Sequence, residues 1–336
     1  MKILVVKLSS LGDLFHALPC VHDLKLGLNA EIHWLVQSEY ADLVRCFTDV
    51  DRVLCFRRRA FFRTLPAFWR ELRAERYDVA LDLQGLLKSA LATRLARAGR
   101  RIGPSFSREG ARLLYTAAAG RADRARHAVD QILDVVDFLG VPRAAPAFPL
   151  RFPRRELAGG RPRIALCPQS RWATKNWPRN NFVAVARRLL AGLPAATVYL
   201  LGGAEDREAA EAIARAVGAR AVNLAGTASL VETGSLLQEM DLLISNDSGP
   251  VHLAAALGVP VLVIFGPTDP RRTGPYGDGH RVLQTSLNCQ PCLSRTCSVG
   301  GLPCMHQITV DDVERNAREM LAAPRQASAR QPQVAG

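Results

Sequence analysis

Apolar runs alternate with stretches of helical periodicity from the first residue of the chain. The first half predicts strands at 2–7, 31–36, 52–56 and 78–83, and helices near 15–27, 39–46, 60–75 and 86–97. Nearly continuous apolar strands separated by amphipathic helices are typical of a parallel sheet covered on both faces. The first half therefore predicts a doubly wound α/β domain.

The second half repeats this pattern after an interruption at 143–162, a Pro-, Gly- and Arg-rich stretch with little apolar periodicity. It predicts strands at 163–168, 197–203, 221–226, 241–247 and 260–266, and helices near 179–191, 205–217, 229–239, 250–257 and 310–322. We expect two Rossmann-like domains, at 1–152 and 160–323, facing a central cleft where the carboxyl ends of the strands would bind ligands. The polar segment 324–336 is expected to be disordered.

Composition is compatible with this division. A chain of 336 residues, 48% hydrophobic and 22% charged, is long enough for two globular cores. The net charge of +13 invites a nucleic-acid interpretation, but an alanine- and arginine-rich chain often reflects codon composition instead of a binding surface. Only five of the 44 basic residues are Lys, and the 6% aromatic residues form no stacking platform. The pattern therefore favours an anionic substrate or an anionic membrane surface over nucleic acid.

The sequence also indicates a compartment. No window approaches the roughly 20 uncharged apolar residues that a membrane span needs. The apolar run between Lys2 and Lys7 is four residues, shorter than the core of an export signal. We expect a cytoplasmic protein with reduced thiols, in which four cysteines are buried small hydrophobes: Cys20, Cys46, Cys55 and Cys167.

The segment VVKLSSLGDLFHALP, residues 5–19, has the strand-turn-helix layout of an anion site. It places a carboxylate, Asp13, in the helix entry, where a dinucleotide fingerprint would have another Gly. Asp13 is either a reactive acid or a residue that stabilises the helix start.

Two neighbouring strands of the second half end in polar Gly/Pro turns. Strand 241–245 is followed by NDSGP at 246–250, and strand 260–265 by GPTDP at 266–270. Pro250 occupies a position favoured at the start of a helix, whose free amides can bind phosphate. Because the two turns would lie at one edge of the sheet, they predict a nucleotide-type site. A simple helix cap is the alternative for NDSGP alone.

Six segments together resemble the lipopolysaccharide heptosyltransferases of glycosyltransferase family 9. They are KLSSLGD (7–13), DLQGLLKSA (82–90), SREGARLLY (107–115), ATKNWP (173–178), LLGGAED (200–206) and the segment 245–277 that begins SNDSGPVHLAAALG. The resemblance implies a GT-B fold, an ADP-heptose donor held by the C-terminal domain, and inverting transfer to a lipid-anchored inner-core sugar held by the N-terminal domain. It also implies that helix 310–322 packs back across the N-terminal domain. No cofactor is expected, and the enzyme would act peripherally at the inner membrane.

The resemblance assigns roles to individual residues. Asp13 matches the general base that takes the proton of the acceptor hydroxyl. The implied donor-binding residues are Lys175, Arg171, Asp247, Ser248, Gly249, His252, Gly202 and Gly203. An ammonium such as Lys175 would neutralise the leaving diphosphate without a metal, whereas His252 could instead be a packed helix residue.

The acceptor side is assigned from charge and position. The candidate acceptor-binding residues fall into three groups. They are the turn residues Ser9, Ser10 and Gly12, the strand-end residues Gln84 and Lys88, and the basic residues Arg57, Arg58, Arg59, Arg63 and Arg108. Guanidinium groups suit a phosphorylated, carboxylate-bearing sugar such as 3-deoxy-octulosonate. A solvated helix face is the alternative for these arginines.

Two features depart from the first-heptose members of the family. Those members place a ribose-binding Glu directly after SL, whereas this chain has Val231 there and Glu232 one position later. The segment 289–304 carries four cysteines, as in the second-heptose branch: Cys289, Cys292, Cys297 and Cys304. Their spacing is compatible with Zn²⁺ or an iron–sulfur cluster but matches no standard zinc ribbon, and packed or partly oxidised thiols are the alternative.

Other functions remain open from the sequence. A family 9 transferase with another donor or acceptor, and an epimerase of GT-B architecture, would use the same fold. An epimerase needs acid and base groups on both sides of a sugar ring, and only Asp13 is well placed. A non-catalytic basic protein that binds nucleotides or nucleic acid would show salt-dependent affinity and no turnover.

Overall fold

The computed structural model describes residues 1–57, 61–123 and 125–323, with only the backbone of 61–64. The chain divides into two compact units, Met1–Arg151 and a second that begins at Phe152. The division falls within the Pro- and Gly-rich stretch 143–162.

The first unit contains a six-stranded parallel sheet in the order β3-β2-β1-β4-β5-β6. Its strands are β1 (Lys2–Val6), β2 (Glu31–Gln37), β3 (Arg52–Phe56), β4 (Tyr77–Asp82), β5 (Ala98–Pro104) and β6 (Ala117–Ala119). Its helices are α1 (Leu11–His16), α2 (Leu18–Gly27), α3 (Ala41–Val44), α4 (Phe61–Arg73), α5 (Leu87–Leu95) and α6 (Ala128–Phe138), with 3₁₀ turns at Ser38–Tyr40 and Ala111–Leu114.

The second unit repeats this arrangement with the order β12-β11-β10-β7-β8-β9, again all parallel. Its strands are β7 (Arg163–Cys167), β8 (Thr197–Leu200), β9 (Ala221–Asn223), β10 (Leu242–Asn246), β11 (Val261–Phe265) and β12 (Arg281–Gln284). Its helices are α7 (Arg179–Gly192), α8 (Arg207–Val217), α9 (Leu230–Leu237), α10 (Gly249–Ala256), α11 (Pro270–Thr273), α12 (Pro303–His306) and α13 (Val310–Ala322), with 3₁₀ turns at Ala173–Lys175 and Ala204–Asp206.

The central strands explain the apolar runs in the sequence. Residues 3–6 of β1 and 261–265 of β11 are completely buried, as expected for strands covered on both faces. Helix α13 packs onto the core of the second unit through buried Val313 and Ala317. Each unit therefore has its own core.

Both sheets have the strand order 3-2-1-4-5-6, numbered within each unit, of a Rossmann-like domain. In such a sheet the first strand lies beside the fourth, and the connections leave in opposite directions, so a crevice opens between their carboxyl ends. This switch point lies after β1 and β4 in the first unit and after β7 and β10 in the second.

The structure corrects several predicted elements. The helix expected at 15–27 begins at Leu11 and is divided into α1 and α2 at Ala17. The sequence reading also missed β5, β6, β12 and α6. Strand β5, AGRRIGP, carries Gly, Pro and two Arg, so its composition resembles a loop, while pairing with β4 and β6 determines its conformation.

None of the helices within the described ranges is long and apolar enough to cross a membrane. The predicted tail 324–336 lies outside the described residues.

Candidate active site

Asp13 lies in the first turn of α1, just beyond the carboxyl end of β1. Its Oδ2 accepts hydrogen bonds from the backbone N–H of Ser10 at 2.9 Å and from the Ser10 hydroxyl at 2.7 Å. Ser10 is the N-cap, so the acid closes a capping box and stabilises the helix start. The side chain is still 39% exposed and remains available to a ligand.

The surroundings of Asp13 favour its ionised form. Burial acts to raise the pKa of Asp13, but the charges of Lys7 and His16 and the hydrogen bonds from Ser10 bring this pKa below its ordinary value. Lys7 is only 4% exposed, and its Nζ donates to the Leu83 carbonyl at 2.7 Å. Burial lowers the pKa of Lys7, whereas Asp13 and Asp82 act to raise it. The buried ammonium of Lys7 therefore helps to keep the carboxyl group of Asp13 ionised.

The turn after β4 holds the turn after β1. Gln84 Oε1 accepts from the backbone N–H of Leu8 at 3.0 Å and of Ser9 at 3.1 Å. Asp82, completely buried, accepts from the N–H of Gln84 at 2.8 Å and of Gly85 at 3.0 Å. Gly85 has φ +74°, and a Cβ there would lie 2.9 Å from Pro104. The predicted acceptor residue Gln84 thus positions the Asp13 turn through its amide oxygen.

The other predicted acceptor residues are distributed around this edge. Arg57, Lys88 and Arg108 are exposed, Ser10 is exposed, Ser9 is half-buried and Gly12 is buried in α1. The Arg108 N–H donates to the Gly85 carbonyl at 2.8 Å, which joins segment 107–115 to the turn after β4. Arg63 lies in α4, where its side chain is not described, and Arg58 and Arg59 lie outside the described residues.

In the second unit, Lys175 and Asp247 meet at the switch point. Lys175 Nζ lies 2.5 Å from Asp247 Oδ2, and the Thr268 hydroxyl donates to the same oxygen at 2.6 Å. Both Asp247 and Thr268 are buried. Three strand ends, β7, β10 and β11, therefore contribute one side chain each to a single polar cluster.

The turn before α10 is tied to its neighbours by polar side chains. Buried Asn246 accepts from the Trp177 N–H at 3.1 Å and donates to the Pro168 carbonyl at 2.7 Å. The hydroxyls of Ser245 and Ser248 lie 3.1 Å apart. Ser248 is the N-cap of α10 and makes no side-chain capping bond, while Gly249 begins the helix and His252 is half-buried on it. The amides of this helix start are favourable for an anion.

The remaining donor candidates lie at the ends of β7 and β8. Arg171 is exposed, and so is Gly203, while Gly202 is half-buried. A Cβ at Gly202 would lie 2.8 Å from Asp206, so glycine keeps this turn tight. Sequence reasoning missed Thr268 and Trp172, although the Thr belongs to the GPTDP turn that it had noted.

Glu232 has a local role in the structure. Its carboxylate accepts from the Ser229 N–H at 2.7 Å in the capping box of α9. Hydrogen bonds from the backbone and side chain of Ser229 lower the pKa of Glu232. The acid therefore stabilises a helix start, which agrees with its shifted position in the sequence.

All eight cysteines are free thiols. The prediction of burial holds for Cys20 and Cys167 but is wrong for Cys46 and Cys55, which are half-buried because they lie in a turn and in edge strand β3. In the loop 289–304, Cys289 and Cys292 are exposed and Cys304 is buried. Across the described residues, no three His, Cys, Asp or Glu side chains are grouped to hold a metal ion.

The comparisons with known proteins now identify the family. A family model described as glycosyltransferase family 9 (heptosyltransferase) matches residues 65–302. The chain belongs to glycosyltransferase family 9. This glycosyltransferase is 31% identical to lipopolysaccharide heptosyltransferase 1 of Pseudomonas aeruginosa over 323 residues, covering 89% of this chain and 88% of the relative.

Solved structures agree with this assignment. The glycosyltransferase is similar to E. coli heptosyltransferase WaaC with ADP, at a TM-score of 0.80 and 26% identity over 95% of this chain and all of the other. The same enzyme with ADP-2-deoxy-2-fluoro heptose gives a TM-score of 0.77 at 26% identity, covering 95% and 99%. The two Rossmann-like units are therefore those of the GT-B fold, as the sequence predicted.

Proposed function

We propose that this glycosyltransferase transfers heptose from ADP-heptose to the lipid-anchored inner core of lipopolysaccharide, with inversion at the anomeric carbon. The observation that carries the proposal is the partly exposed carboxylate of Asp13 at the switch point of the first unit, where Lys7 and the hydrogen bonds from Ser10 lower its pKa. The family and its lipopolysaccharide-modifying relatives support the substrate class.

In the proposed reaction, Asp13 acts as the general base. A sugar hydroxyl has a pKa far above 7, so its attack needs a proton acceptor in the transition state. Asp13 takes the hydroxyl proton as the oxygen attacks the anomeric carbon and ADP departs from the opposite face. One displacement inverts the configuration.

The donor diphosphate is proposed to bind at the end of β10, against Ser248, Gly249 and Lys175. The α10 amides supply hydrogen bonds, and the Lys175 ammonium offsets the charge that develops on departing ADP. The ion pair with Asp247 orients the Lys175 ammonium. In the proposed complex this ammonium interacts with both the Asp247 carboxylate and the donor phosphates. Arg171, Asp247, His252, Gly202 and Gly203 complete the proposed donor set.

The acceptor is proposed to bind beside the turn 9–13, with Arg57, Lys88 and Arg108 available to its anionic groups. These side chains are exposed. Planar guanidinium groups can pair bidentately with carboxylate or phosphate. Gln84 contributes by holding the turn, and its amide nitrogen remains a candidate contact to the sugar.

We also propose that the enzyme is cytoplasmic and works at the anionic surface of the inner membrane. A groove of about 880 Å³ runs beside α4. Its apolar wall is formed by Leu65, Pro66, Trp69 and Leu95, and its cations are Arg70, Arg73 and Arg97. The Arg73 guanidinium lies 5.2 Å from the Trp69 ring centroid, and Trp69 is 42% exposed. An exposed indole beside arginines fits an anionic lipid interface.

The decisive experiment is incubation of the purified enzyme with ADP-heptose and truncated core lipids that end in 3-deoxy-octulosonate or in heptose. Release of ADP together with a heptose-extended lipid is the expected result. No ADP release with either acceptor, or equal turnover with UDP- and GDP-sugars, would contradict the proposed donor.

The donor site can be tested separately by Lys175→Ala. Loss of one charge-assisted contact should weaken ADP binding by about 1.5–3 kcal/mol. Calorimetry measures the effect, and an unchanged affinity for ADP would place the diphosphate elsewhere. Arg187→Ala, on α7, removes a cation without touching the polar cluster and serves as the control.

A further inference from the structure

The loop 289–304 packs directly against the proposed donor site. The Thr174 hydroxyl donates to the Ser294 carbonyl at 2.9 Å, and the Leu293 N–H donates to the Pro267 carbonyl at 2.8 Å. Thr174 lies in the turn after β7 that carries Lys175, and Pro267 lies in the turn after β11. Residues 293 and 294 are thus attached to two of the strand-end turns that build the site.

This attachment brings a second cation to the ring that Lys175 already occupies. The Arg295 guanidinium carbon lies 5.0 Å from the centroid of the Trp172 ring, and Lys175 Nζ lies 4.8 Å from the same centroid. Cations at this distance are attracted by the ring, so Trp172 interacts with both residues. Trp172 itself is half-buried.

The two cations differ in their partners. Lys175 is paired with Asp247, so the pair is neutral overall. Within the part of the chain that the structure describes, no carboxylate pairs with Arg295, whose side chain is exposed. A diphosphate brings two or more negative charges, which a single ammonium shared with a carboxylate does not balance.

The backbone of the loop supports a defined position for Arg295. Leu293 has φ 53°, a left-handed conformation that is unfavourable for a branched side chain and persists only where surrounding contacts impose it. Ser294 Oγ donates to the Thr296 carbonyl at 2.7 Å, which closes a local turn around Arg295. The guanidinium is therefore presented from an ordered turn.

We propose that Arg295, carried by the cysteine-containing loop, is a donor-binding residue that pairs with the diphosphate of the nucleotide sugar beside Lys175. This inference rests on the proposed function, in which the donor is a nucleotide sugar. It adds to the proposed donor site a residue that lies outside the sequence motifs from which the donor was inferred. Its guanidinium can pair bidentately with phosphate oxygens, which a lysine cannot do.

Calorimetry with ADP tests the proposal on the full-length enzyme. Arg295→Gln should raise the Kd for ADP about tenfold or more, and Arg295→Lys should retain part of the affinity because it keeps the charge but loses the planar donor fork. Arg215→Gln, which removes the same charge from a 73%-exposed position on α8, is the matched control and should leave the Kd unchanged.

Competition by adenosine and by inorganic pyrophosphate distinguishes phosphate contact from a general disturbance of the loop. Pyrophosphate should compete about tenfold less well in Arg295→Gln, while adenosine should compete equally well in both proteins. An unchanged Kd for ADP, or equal losses for adenosine and pyrophosphate, would overturn the role of Arg295. Failure of the wild type to bind ADP would instead refute the proposed donor.

Discussion

At the scale of single residues, Asp13 has an observed structural role and, in the proposed reaction, a chemical role as the base. One oxygen completes the capping box with Ser10, while the side chain remains partly exposed at the switch point. The sequence could locate Asp13 because a strand-turn-helix motif contains it. It could not assign Lys7 a role, because the contact between Lys7 and Leu83 joins two strand ends that are 76 positions apart.

Replacement of Asp13 by Asn separates the two roles. The Asn oxygen can still accept from Ser10, so the melting temperature should change little, whereas turnover should fall about 10²- to 10⁴-fold because the base is lost. ADP-release kinetics and thermal melting measure the two effects, and ADP affinity should stay the same. A variant with normal turnover and a lower melting temperature would make Asp13 a cap alone.

The charge of Lys7 should control the acid limit of activity. Because the folded-state pKa of Asp13 is lowered, its ionisation stabilises the protein above the unfolded pKa, and this contribution is lost as pH falls through the folded pKa. Lys7→Gln removes a cation that lowers the pKa of Asp13, so the acid limb of kcat should move to higher pH. A pH–rate profile with an unshifted acid limb, in a variant that melts normally, would exclude this coupling.

At the scale of elements, the turn after β4 is assembled around one buried acid. Asp82 accepts from two backbone amides and from the Tyr115 hydroxyl at 2.7 Å, and burial raises the pKa of Asp82. Gln84, in the same turn, accepts hydrogen bonds from the backbone N–H groups of Leu8 and Ser9. The position of the Asp13 turn therefore depends on segment 107–115 as well as on its own motif.

Tyr115→Phe tests this support. Removal of one donor to a completely buried carboxylate should cost about 1–3 kcal/mol of the free energy of unfolding, measured by urea denaturation. Tyr77→Phe, which removes a hydroxyl paired with His33 on another part of the same sheet, is the control for a lost buried hydroxyl. If Tyr115→Phe lowers kcat as well and Tyr77→Phe does not, the Asp82 network positions the turn.

The elements themselves could be predicted where apolar periodicity determines them. The central strands and helices such as α7 and α13 agree with the sequence to within a residue or two. Strands β5 and β12 could not be found this way, because they lie toward the sheet edges, where tertiary pairing rather than apolar content determines conformation. Helix α6 was missed although its buried apolar residues have helical spacing.

At the scale of the whole molecule, the excess of 13 positive charges is organised in part around α4. The groove beside α4 is the place that we propose for an anionic partner. Residues Arg73, Ala74, Leu95 and Arg97 immediately precede β4 and β5 in the chain, so the groove extends toward the edge of the sheet opposite to Asp13. Lipid contact there would leave the catalytic edge accessible.

Vesicle sedimentation tests this surface. Arg70→Glu should weaken binding to phosphatidylethanolamine vesicles containing phosphatidylglycerol about 30-fold, because it replaces an attraction of roughly 1 kcal/mol by a repulsion of similar size. Arg215→Glu makes the same change on α8 and should have little effect. Equal losses in the two variants would indicate an unspecific charge effect, and strong binding to phosphatidylcholine alone would contradict an electrostatic surface.

The candidate site was predictable to the extent that its residues belong to contiguous motifs. Asp13 follows strand β1 of the first unit. Lys175 and Asp247 follow β7 and β10, which are neighbours in the sheet of the second unit. Trp172 lacked such a signal, since its contact with Lys175 is made only in the folded chain. Thr268 belongs to a predicted turn, but its hydrogen bond to Asp247 could not be predicted from the sequence.

The two cations over Trp172 have an optical consequence. The chain contains four tryptophans, of which Trp34 and Trp177 are buried and Trp69 lies in the first unit. Indole emission responds to the electric field across the ring, and an arriving diphosphate would alter that field by drawing Lys175 and Arg295 toward itself. With the donor bound as proposed, Trp172 is a natural fluorophore for donor occupancy. Trp172→Phe should abolish its signal, and stopped flow would then time donor association and release without a label.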